Sequence, residues 1–102
     1  MKKIYKFNLT GSGKSYPTTV EVPMNIGAKI LSVANQLEKI CFWAEVETTV
    51  PTETRIFQVV LTGEPFETGA FDANFLGTVI LKGGTAVAHV FELVPLAPVT
   101  EG

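Results

Sequence analysis

Residues 28–46 read AKILSVANQLEKICFWAEV, and this stretch decides whether the fold contains a long helix. Five of its residues recur at the spacing of one helix face: Ile30, Ala34, Leu37, Cys41 and Ala44. The same stretch contains two clusters rich in β-formers, residues 30–33 and 40–43, separated by the polar pair Asn35 and Gln36. The pattern alone supports one helix and two strands almost equally.

The rest of the chain favours two strands here, because its apolar segments all have the pattern of strands. They alternate apolar and polar residues or cluster β-formers, and they comprise residues 4–9, 18–22, 55–61, 75–81 and 86–94. A single helix would be an isolated element among them. We therefore predict two strands within residues 28–46.

The connections carry several kinds of turn signal. Residues 4–22 are predicted to form a hairpin with a wide loop, which Pro23 closes. Residues 62–74 read TGEPFETGAFDAN and are predicted to be the longest loop. Gly77 is a candidate bulge in its strand, and the paired glycines of residues 82–85 (KGGT) indicate a hairpin turn.

These elements define an all-β fold class. The sequence predicts an antiparallel sandwich or partly open barrel of about seven strands, with no long helix. Residues 1–94 are expected to form a single β domain, in keeping with a chain of 102 residues. Pro95 and Pro98 predict an extended C-terminal tail over residues 95–102.

Composition argues against nucleic-acid and membrane partners. The chain carries 8 Lys+Arg against 10 Asp+Glu, a formal charge of −2, and lacks the basic surface typical of nucleic-acid binders. Residues 1–10 contain no apolar segment of a signal peptide, and no apolar run approaches the roughly 18 residues of a membrane span. The single cysteine, Cys41, cannot form an intramolecular disulfide, which points to a reducing cytosol.

The apolar content predicts a partner surface. Hydrophobic residues make up 46% of the chain and charged residues only 18%. A domain of this size buries only about two thirds of its unfolded surface, so some apolar side chains stay exposed. Exposed apolar patches commonly mark interaction sites. We therefore expect a homo-oligomer or a binding face.

Residues 10–17 (TGSGKSYP) resemble the end of a phosphate-binding loop. In such a loop a first glycine precedes Gly13 by five positions, and that position is occupied by Asn8. A helix must also follow directly, whereas Pro17 and a strand-like segment come next. We predict a glycine-rich loop rather than an NTPase site, with Lys14 still available to an anion.

Catalytic and metal chemistry have few candidate residues. His89 is the only histidine, Asp72 the only aspartate and Cys41 the only cysteine. The serines lack the context of a nucleophile elbow, and one histidine with one cysteine does not supply a metal site. We predict that the protein is not an enzyme and that it has neither a cofactor nor a metal.

Three residues have both a structural and a functional interpretation. His89 alternates with apolar neighbours and is more simply a core or edge histidine with one hydrogen bond than a functional group. Trp43, the only tryptophan, is more simply a core residue than a stacking group. Arg55, the only arginine, is expected to pair with an acid such as Glu45 or Glu92 rather than bind an anion.

Six short motifs follow one another along the chain: residues 28–33 (AKILSV), 41–44 (CFWA), 55–57 (RIF), 62–65 (TGEP), 75–78 (FLGT) and 89–92 (HVFE). In order and spacing they resemble a family of short bacteriophage and prophage proteins of unknown function, with the pattern AKILSV, CLWA, R-x-F, TGHP, IGT and HVFE. The resemblance spans nearly the whole chain and supports two strands for residues 30–46. Glu64 departs from it, since relatives often have histidine there, which argues against a catalytic or metal role for that loop.

The resemblance implies a viral setting and, by analogy with other small phage proteins, an action on the host. We expect a non-enzymatic phage accessory protein in the host cytoplasm that sequesters a small host molecule, such as a nucleotide immune signal, to counter antiviral defence. The alternatives are a protein–protein inhibitor of a host effector and a small virion or assembly component. The candidate ligand-binding residues are Trp43, Arg55, Thr62, Gly63, Phe66, Lys82 and His89.

Overall fold

The computed structural model describes residues 1–9 and 18–96, and these residues form seven β-strands. In chain order the strands are β1 (Lys2–Asn8), β2 (Thr18–Asn25), β3 (Lys29–Gln36), β4 (Lys39–Glu47), β5 (Thr52–Leu61), β6 (Phe71–Leu81) and β7 (Ala86–Pro95). The described part also contains a short 3-10 turn, Lys82–Gly84. Within these two ranges, no helix has the length and apolar character needed to cross a membrane.

The strands form two antiparallel sheets that pack face to face. The three-stranded sheet has the order β1-β4-β3, and the four-stranded sheet has the order β2-β5-β7-β6. The predicted all-β class with about seven strands is therefore confirmed. Of the two architectures considered, the arrangement is the sandwich, because each sheet ends in edge strands instead of closing into a barrel.

Residues 28–46 form two strands rather than a helix, as predicted. β3 and β4 pair antiparallel from Lys29 opposite Glu45 to Gln36 opposite Lys39. Every second residue of β4 is almost completely buried: Ile40, Phe42, Ala44 and Val46. Burial thus follows the period of two that a strand imposes, except at Cys41, which is also buried, and the helical spacing in this stretch is coincidental.

The predicted hairpin over residues 4–22 is wrong. β1 pairs with β4 and β2 pairs with β5, so the two strands lie in different sheets. Phe7 of β1 stacks on Phe42 of β4, with ring centroids 5.0 Å apart. β1 therefore extends the buried apolar face of β4. Pro23 does not end β2, and an edge strand tolerates proline because one side of its backbone is unpaired. The connecting residues 10–17 lie outside the described ranges.

Other boundaries differ by a few residues from those predicted. β6 already begins at Phe71, so the loop predicted over residues 62–74 covers only residues 62–70. The register of β6 against β7 shifts between Phe75 and Gly77, which confirms the predicted bulge. The turn after β6 is confirmed, with the Thr85 N–H donating to the Lys82 carbonyl at 3.2 Å. Most of the predicted C-terminal tail lies outside the described residues.

The hydrophobic core fills the space between the sheets. Phe42 of β4 and Phe57 of β5 bridge the two layers, with ring centroids 4.7 Å apart. Other large core side chains that are almost fully buried are Leu9, Met24, Ile40, Val46, Val59 and Val90. Burying a side chain of this size contributes about 1.5–3 kcal/mol. The core occupies the inner faces, so any recognition site has to use the outer faces, the edges or the loops.

One side of the sandwich is joined by hydrogen bonds between the β3–β4 hairpin and the end of β6, since β3 and β6 lie against each other. Asn35 Nδ2 donates to the Ile80 carbonyl at 3.0 Å. The Lys82 N–H donates to Glu38 Oε2 at 2.8 Å. Polar contacts as well as core packing therefore fix the two sheets to each other on this side.

Candidate functional site

The structure places the seven candidate ligand-binding residues in four separate regions. Thr62, Gly63, Phe66 and His89 come together on the outer face of the four-stranded sheet and in the loop beside it. The other three, Trp43, Arg55 and Lys82, lie elsewhere. Four of the predicted residues therefore contribute to one surface, and three do not.

His89 lies on the outer face of β7, between two threonine hydroxyls. Its Nε2 is 2.7 Å from Thr62 Oγ1, and its Nδ1 is 3.1 Å from Thr78 Oγ1. Ala88 and Val90, on either side of it, are completely buried in the core, so the ring of His89 projects outwards. The expectation of a core or edge histidine with one hydrogen bond is wrong. β7 lies inside its sheet and presents its odd-numbered residues to the outer face at this point, and both ring nitrogens of His89 have a hydroxyl partner.

Three aromatic rings lie beside His89 on the same outer face. Phe75 of β6 and Phe91 of β7 are directly opposite in the ladder, with centroids 5.4 Å apart. Phe66, from the loop of residues 62–70, stacks on Phe91 at 4.5 Å with an interplanar angle of 30°. Phe75 remains 60% exposed and Phe66 39% exposed. We define the aromatic platform by six residues: Thr62, Phe66, Phe75, Thr78, His89 and Phe91.

Gln58 adds a buried amide next to the platform. It lies on β5 directly opposite Phe91, and it is only 7% exposed. Its Oε1 is buried and has no hydrogen-bond partner among the described residues. An unpaired buried acceptor destabilises the folded protein, so a buried side-chain oxygen without a hydrogen bond, such as Gln58 Oε1, is uncommon in protein structures.

The loop that carries Phe66 is held by backbone bonds at both ends. The Thr62 N–H donates to the Val87 carbonyl at 3.0 Å, and the Phe71 N–H donates to the Thr68 carbonyl at 3.2 Å. Gly63 and Gly69 have φ values of +90° and +60°, which side-chain-bearing residues rarely adopt. The two glycines therefore make the turns that bring Phe66 over Phe91.

Arg55 forms the ion pair expected of it, and its partner is Glu92. Its Nε and Nη2 donate to the two carboxylate oxygens of Glu92 at 2.6 and 2.7 Å. Its Nη1 donates to the Ala28 carbonyl at 2.6 Å, which ties β5 to the start of β3. The Glu92 carboxylate raises the pKa of Arg55 above its ordinary value. A cavity of about 310 Å³ borders the pair, but the guanidinium is already engaged.

Trp43 does not lie in the core, which corrects the preferred prediction. It is half-buried on the outer face of β4, between Lys6 of β1 and Ser32 of β3. Its neighbours Phe42 and Ala44 take the inward positions. Trp43 and the platform therefore occupy opposite outer faces of the sandwich and cannot share a small ligand.

Lys82 is part of the turn between β6 and β7, where its backbone N–H binds Glu38. Its position is set by this structural contact and not by the platform. Lys14, suggested as an anion contact, lies outside the described residues. Within residues 1–9 and 18–96, no three His, Cys, Asp or Glu side chains are grouped as metal ligands would be.

Sequence reasoning missed three residues of the platform, Phe75, Thr78 and Phe91, and the neighbouring Gln58. Phe91 and His89 share a face by simple alternation, and this signal is present in the sequence. Phe75 and Thr78 differ by three positions and would fall on opposite faces of a regular strand. The bulge between Phe75 and Gly77 brings the side chains of Phe75 and Thr78 to one face. Residue types do not show how this bulge shifts the register of β6 against β7.

The fold and the platform define a small antiparallel β-sandwich with an aromatic and hydroxyl-bearing outer face. The chain belongs to the family described as domain of unknown function (DUF7352), whose model matches residues 1–100. No curated protein and no solved structure matches the chain. The functional conclusion therefore depends on the geometry of the site.

Proposed function

We propose that this is a non-enzymatic binding protein that captures a small planar molecule on the aromatic platform. The observation that carries the proposal is the position of Phe75, whose exposed ring lies against Phe91 on the same outer face as His89. An exposed aromatic ring on one face with two threonine hydroxyls offers both a stacking surface and polar contacts. Small-molecule sites commonly combine these two features.

Stacking supplies one part of the binding free energy, and hydrogen bonds have to supply the rest. An aromatic pair contributes about 0.5–1.5 kcal/mol beyond its burial, and stacking of a base on an aromatic side chain contributes about 1–3 kcal/mol. Both ring nitrogens of His89 are engaged by the hydroxyls of Thr62 and Thr78, so the remaining hydrogen-bonding capacity of these two hydroxyls is what a ligand meets beside the rings. A ring that covers Phe75 would therefore be both stacked and oriented.

The charge of the surface favours a neutral ring over a phosphate group. The six platform residues include no lysine or arginine, and the loop beside them carries Glu64 and Glu67. These carboxylates oppose a polyanion, whereas a nucleobase or another uncharged heterocycle meets no such penalty. A nucleotide would have to bind by its base, with its phosphates directed away from the loop.

The biological setting of the proposal comes from the resemblance to phage and prophage proteins. A protein that binds a host molecule without transforming it acts by lowering the free concentration of that molecule. We propose that the chain sequesters a host heterocycle or nucleotide signal in the host cytoplasm and thereby counters antiviral defence. Expression in a phage-challenged host, with the wild-type chain compared with a platform variant, tests this role.

The binding step is tested by NMR titration of the ¹⁵N-labelled protein with nucleobases, nucleosides and their phosphates. We expect shifts at the platform, and about a tenfold loss of affinity in Phe75→Ser, which corresponds to about 1.4 kcal/mol. Ile80→Ser is the matched control, because Ile80 is also 60% exposed on β6 but lies outside the platform. Equal affinity in both variants, or no shifts with any compound, contradicts the proposal.

A further inference from the structure

We propose that Gln58 Oε1 is the acceptor that selects ligands with an N–H donor at the edge of a planar ring. This inference rests on the proposed function, since it concerns how the same surface recognises its ligand. The ligand class is a cyclic imide or lactam, whose ring N–H lies in the plane that stacks on an aromatic side chain. Uracil, thymine and guanine rings carry such an edge.

The position of Gln58 makes it a neighbour of the stacked rings. β5 and β7 pair so that Gln58 is directly opposite Phe91, and Val60 is directly opposite His89. Gln58 therefore shares the outer face with both platform residues of β7. It is more than nine-tenths buried although it is on an outer face, because that part of the sheet is covered.

Phe66 lies over the cross-strand partner of Gln58. Its ring stacks on Phe91 at 4.5 Å, and Phe91 is the cross-strand partner of Gln58. The centroid separation leaves no space for a second ring between Phe66 and Phe91. A ligand ring that stacks on Phe91 beside Gln58 therefore takes the place of Phe66, and the loop turns at Gly63 and Gly69 on either side of Phe66.

The unpaired acceptor gives the ligand its chemical requirement. A buried amide oxygen without a hydrogen-bond donor destabilises the protein, because the oxygen has lost its hydration. A ligand N–H placed against it restores the lost hydrogen bond, whereas an N-methyl group leaves it unpaired and adds a steric conflict. Sites built around a buried hydrogen-bonding group reject analogues that lack the complementary group much more strongly than apolar sites do.

Two probes isolate this contact: phthalimide, which has an imide N–H, and N-methylphthalimide, which has the same ring system without the donor. We expect the wild-type protein to bind phthalimide at least about tenfold more tightly in an NMR titration. In Gln58→Met, which keeps the length of the side chain but removes the amide, the affinity ratio should fall to about one. The affinity for N-methylphthalimide should stay within about twofold of the wild-type value.

The unfolding midpoint of the free protein provides a second readout. Gln58→Met removes an unpaired polar atom from a covered site, so its midpoint should equal or exceed that of the wild type. A lower midpoint would mean that Gln58 has a structural hydrogen bond, and this would overturn the inference. The fluorescence of Trp43, on the opposite sheet, reports whether the variant keeps its fold.

The outcomes separate this inference from the proposed function. If wild type binds both probes equally and Gln58→Met changes neither affinity, Gln58 is not the selecting acceptor, although the platform still binds planar rings. If neither probe binds while nucleobases shift the platform, the imide and lactam preference is wrong and the proposed function stands. If no planar compound binds at all, both are overturned.

Discussion

At the scale of single residues, Gly77 shows that a glycine can be required for space alone. The other glycines of the described ranges have positive φ values: Gly27, Gly63, Gly69, Gly83 and Gly84. Gly77 does not, but a Cβ at this position would lie 2.4 Å from Cγ2 of Val33. The stiff, branched side chain of Val33 thus occupies the place of a missing side chain, where β3 packs against β6.

We expect Gly77→Ala to destabilise the protein by about 1–3 kcal/mol, because the added methyl group overpacks this contact. Urea denaturation followed by Trp43 fluorescence measures the free energy of unfolding. The control is Gly77→Ala in a Val33→Ala background, where the conflicting methyl group is gone. The two changes should therefore be strongly non-additive, and simple additivity would argue against the steric explanation.

Arg55 and Glu92 form a different kind of contact, in which charge is largely removed from solvent. Their side chains are 17% and 13% exposed, and the guanidinium also binds a backbone carbonyl. Removing one member of a buried pair leaves the other charge without compensation. Because the pKa of Arg55 is raised, its share of this stability is complete below its ordinary pKa and is lost only in strong alkali.

Arg55→Met should reduce the free energy of unfolding by about 2–3 kcal/mol in urea denaturation, a value scaled down from fully buried pairs. The exposed pair of Lys2 and Glu45 is the control, with nitrogen and oxygen 3.8 Å apart. Lys2→Met should change stability by less than about 1 kcal/mol. A similar loss in both variants would show that the burial of Arg55 is unimportant.

At the scale of elements, the β3–β4 hairpin contains a two-residue turn with unfavourable residue types. Leu37 and Glu38 have φ values of +53° and +63°, which is the conformation that hairpins of this length require. Neither residue is a glycine or an asparagine. Glu38 is favoured by its contacts, because its carboxylate accepts the Lys82 N–H and its own N–H donates to Asn35 Oδ1. The side chain of Leu37, by contrast, is 91% exposed.

Leu37→Asn should therefore raise the free energy of unfolding by about 0.5–1 kcal/mol, since asparagine adopts positive φ more readily. Glu38→Gly tests whether the hydrogen bond of Glu38 outweighs the strain of its positive φ value. It relieves the backbone but loses the hydrogen bond to Lys82, so it should not stabilise the protein. Thermal unfolding of both variants distinguishes the two effects, and stabilisation of similar size would mean that the Glu38 contact contributes little.

At the scale of the whole molecule, the two outer faces differ in character. The four-stranded sheet presents the aromatic platform. The three-stranded sheet presents Ile4 and Leu31, 63% and 46% exposed, above a shallow depression of about 610 Å³ bordered by Lys2, Lys3 and Glu45. This face carries both charge signs on neighbouring strands and is therefore complementary to a copy of itself. We propose that the three-stranded sheet forms the homo-oligomer interface.

Light scattering coupled to size-exclusion chromatography tests the interface. The wild-type protein should elute as a dimer or larger assembly, and Ile4→Glu should elute as a monomer because it places a charge in the apolar centre. Ile80→Glu is the control, with 60% exposure but a position on the opposite sheet, and should leave the assembly intact. A monomeric wild-type protein, or dissociation by both variants, contradicts this interface.

Local sequence information was sufficient for the all-β class and for the turn after β6. Alternation and β-former clusters predicted the strands because a strand buries every second residue, whatever its partner is. Paired glycines predicted the turn after β6, because its positive φ values depend on the residue itself. Gly77 also indicated the bulge, although the structure requires this glycine for space beside Val33 and not for its φ value. The pairing of Arg55 with an acid followed from the cost of leaving a cation without a partner.

Only the tertiary structure decided which strands are neighbours and which faces are outward. The hairpin over residues 4–22 failed because the choice of β4 for β1 depends on the contact of Phe7 with Phe42, which are far apart in sequence. Likewise, the sequence favoured the core for Trp43 and the core or a sheet edge for His89, although both side chains project outwards from inner strands. A period of two shows that alternate residues share a face, but only packing against a second sheet decides which of the two faces is buried. The sequence of this protein therefore determined its strands, and the contacts between distant strands determined where the platform lies.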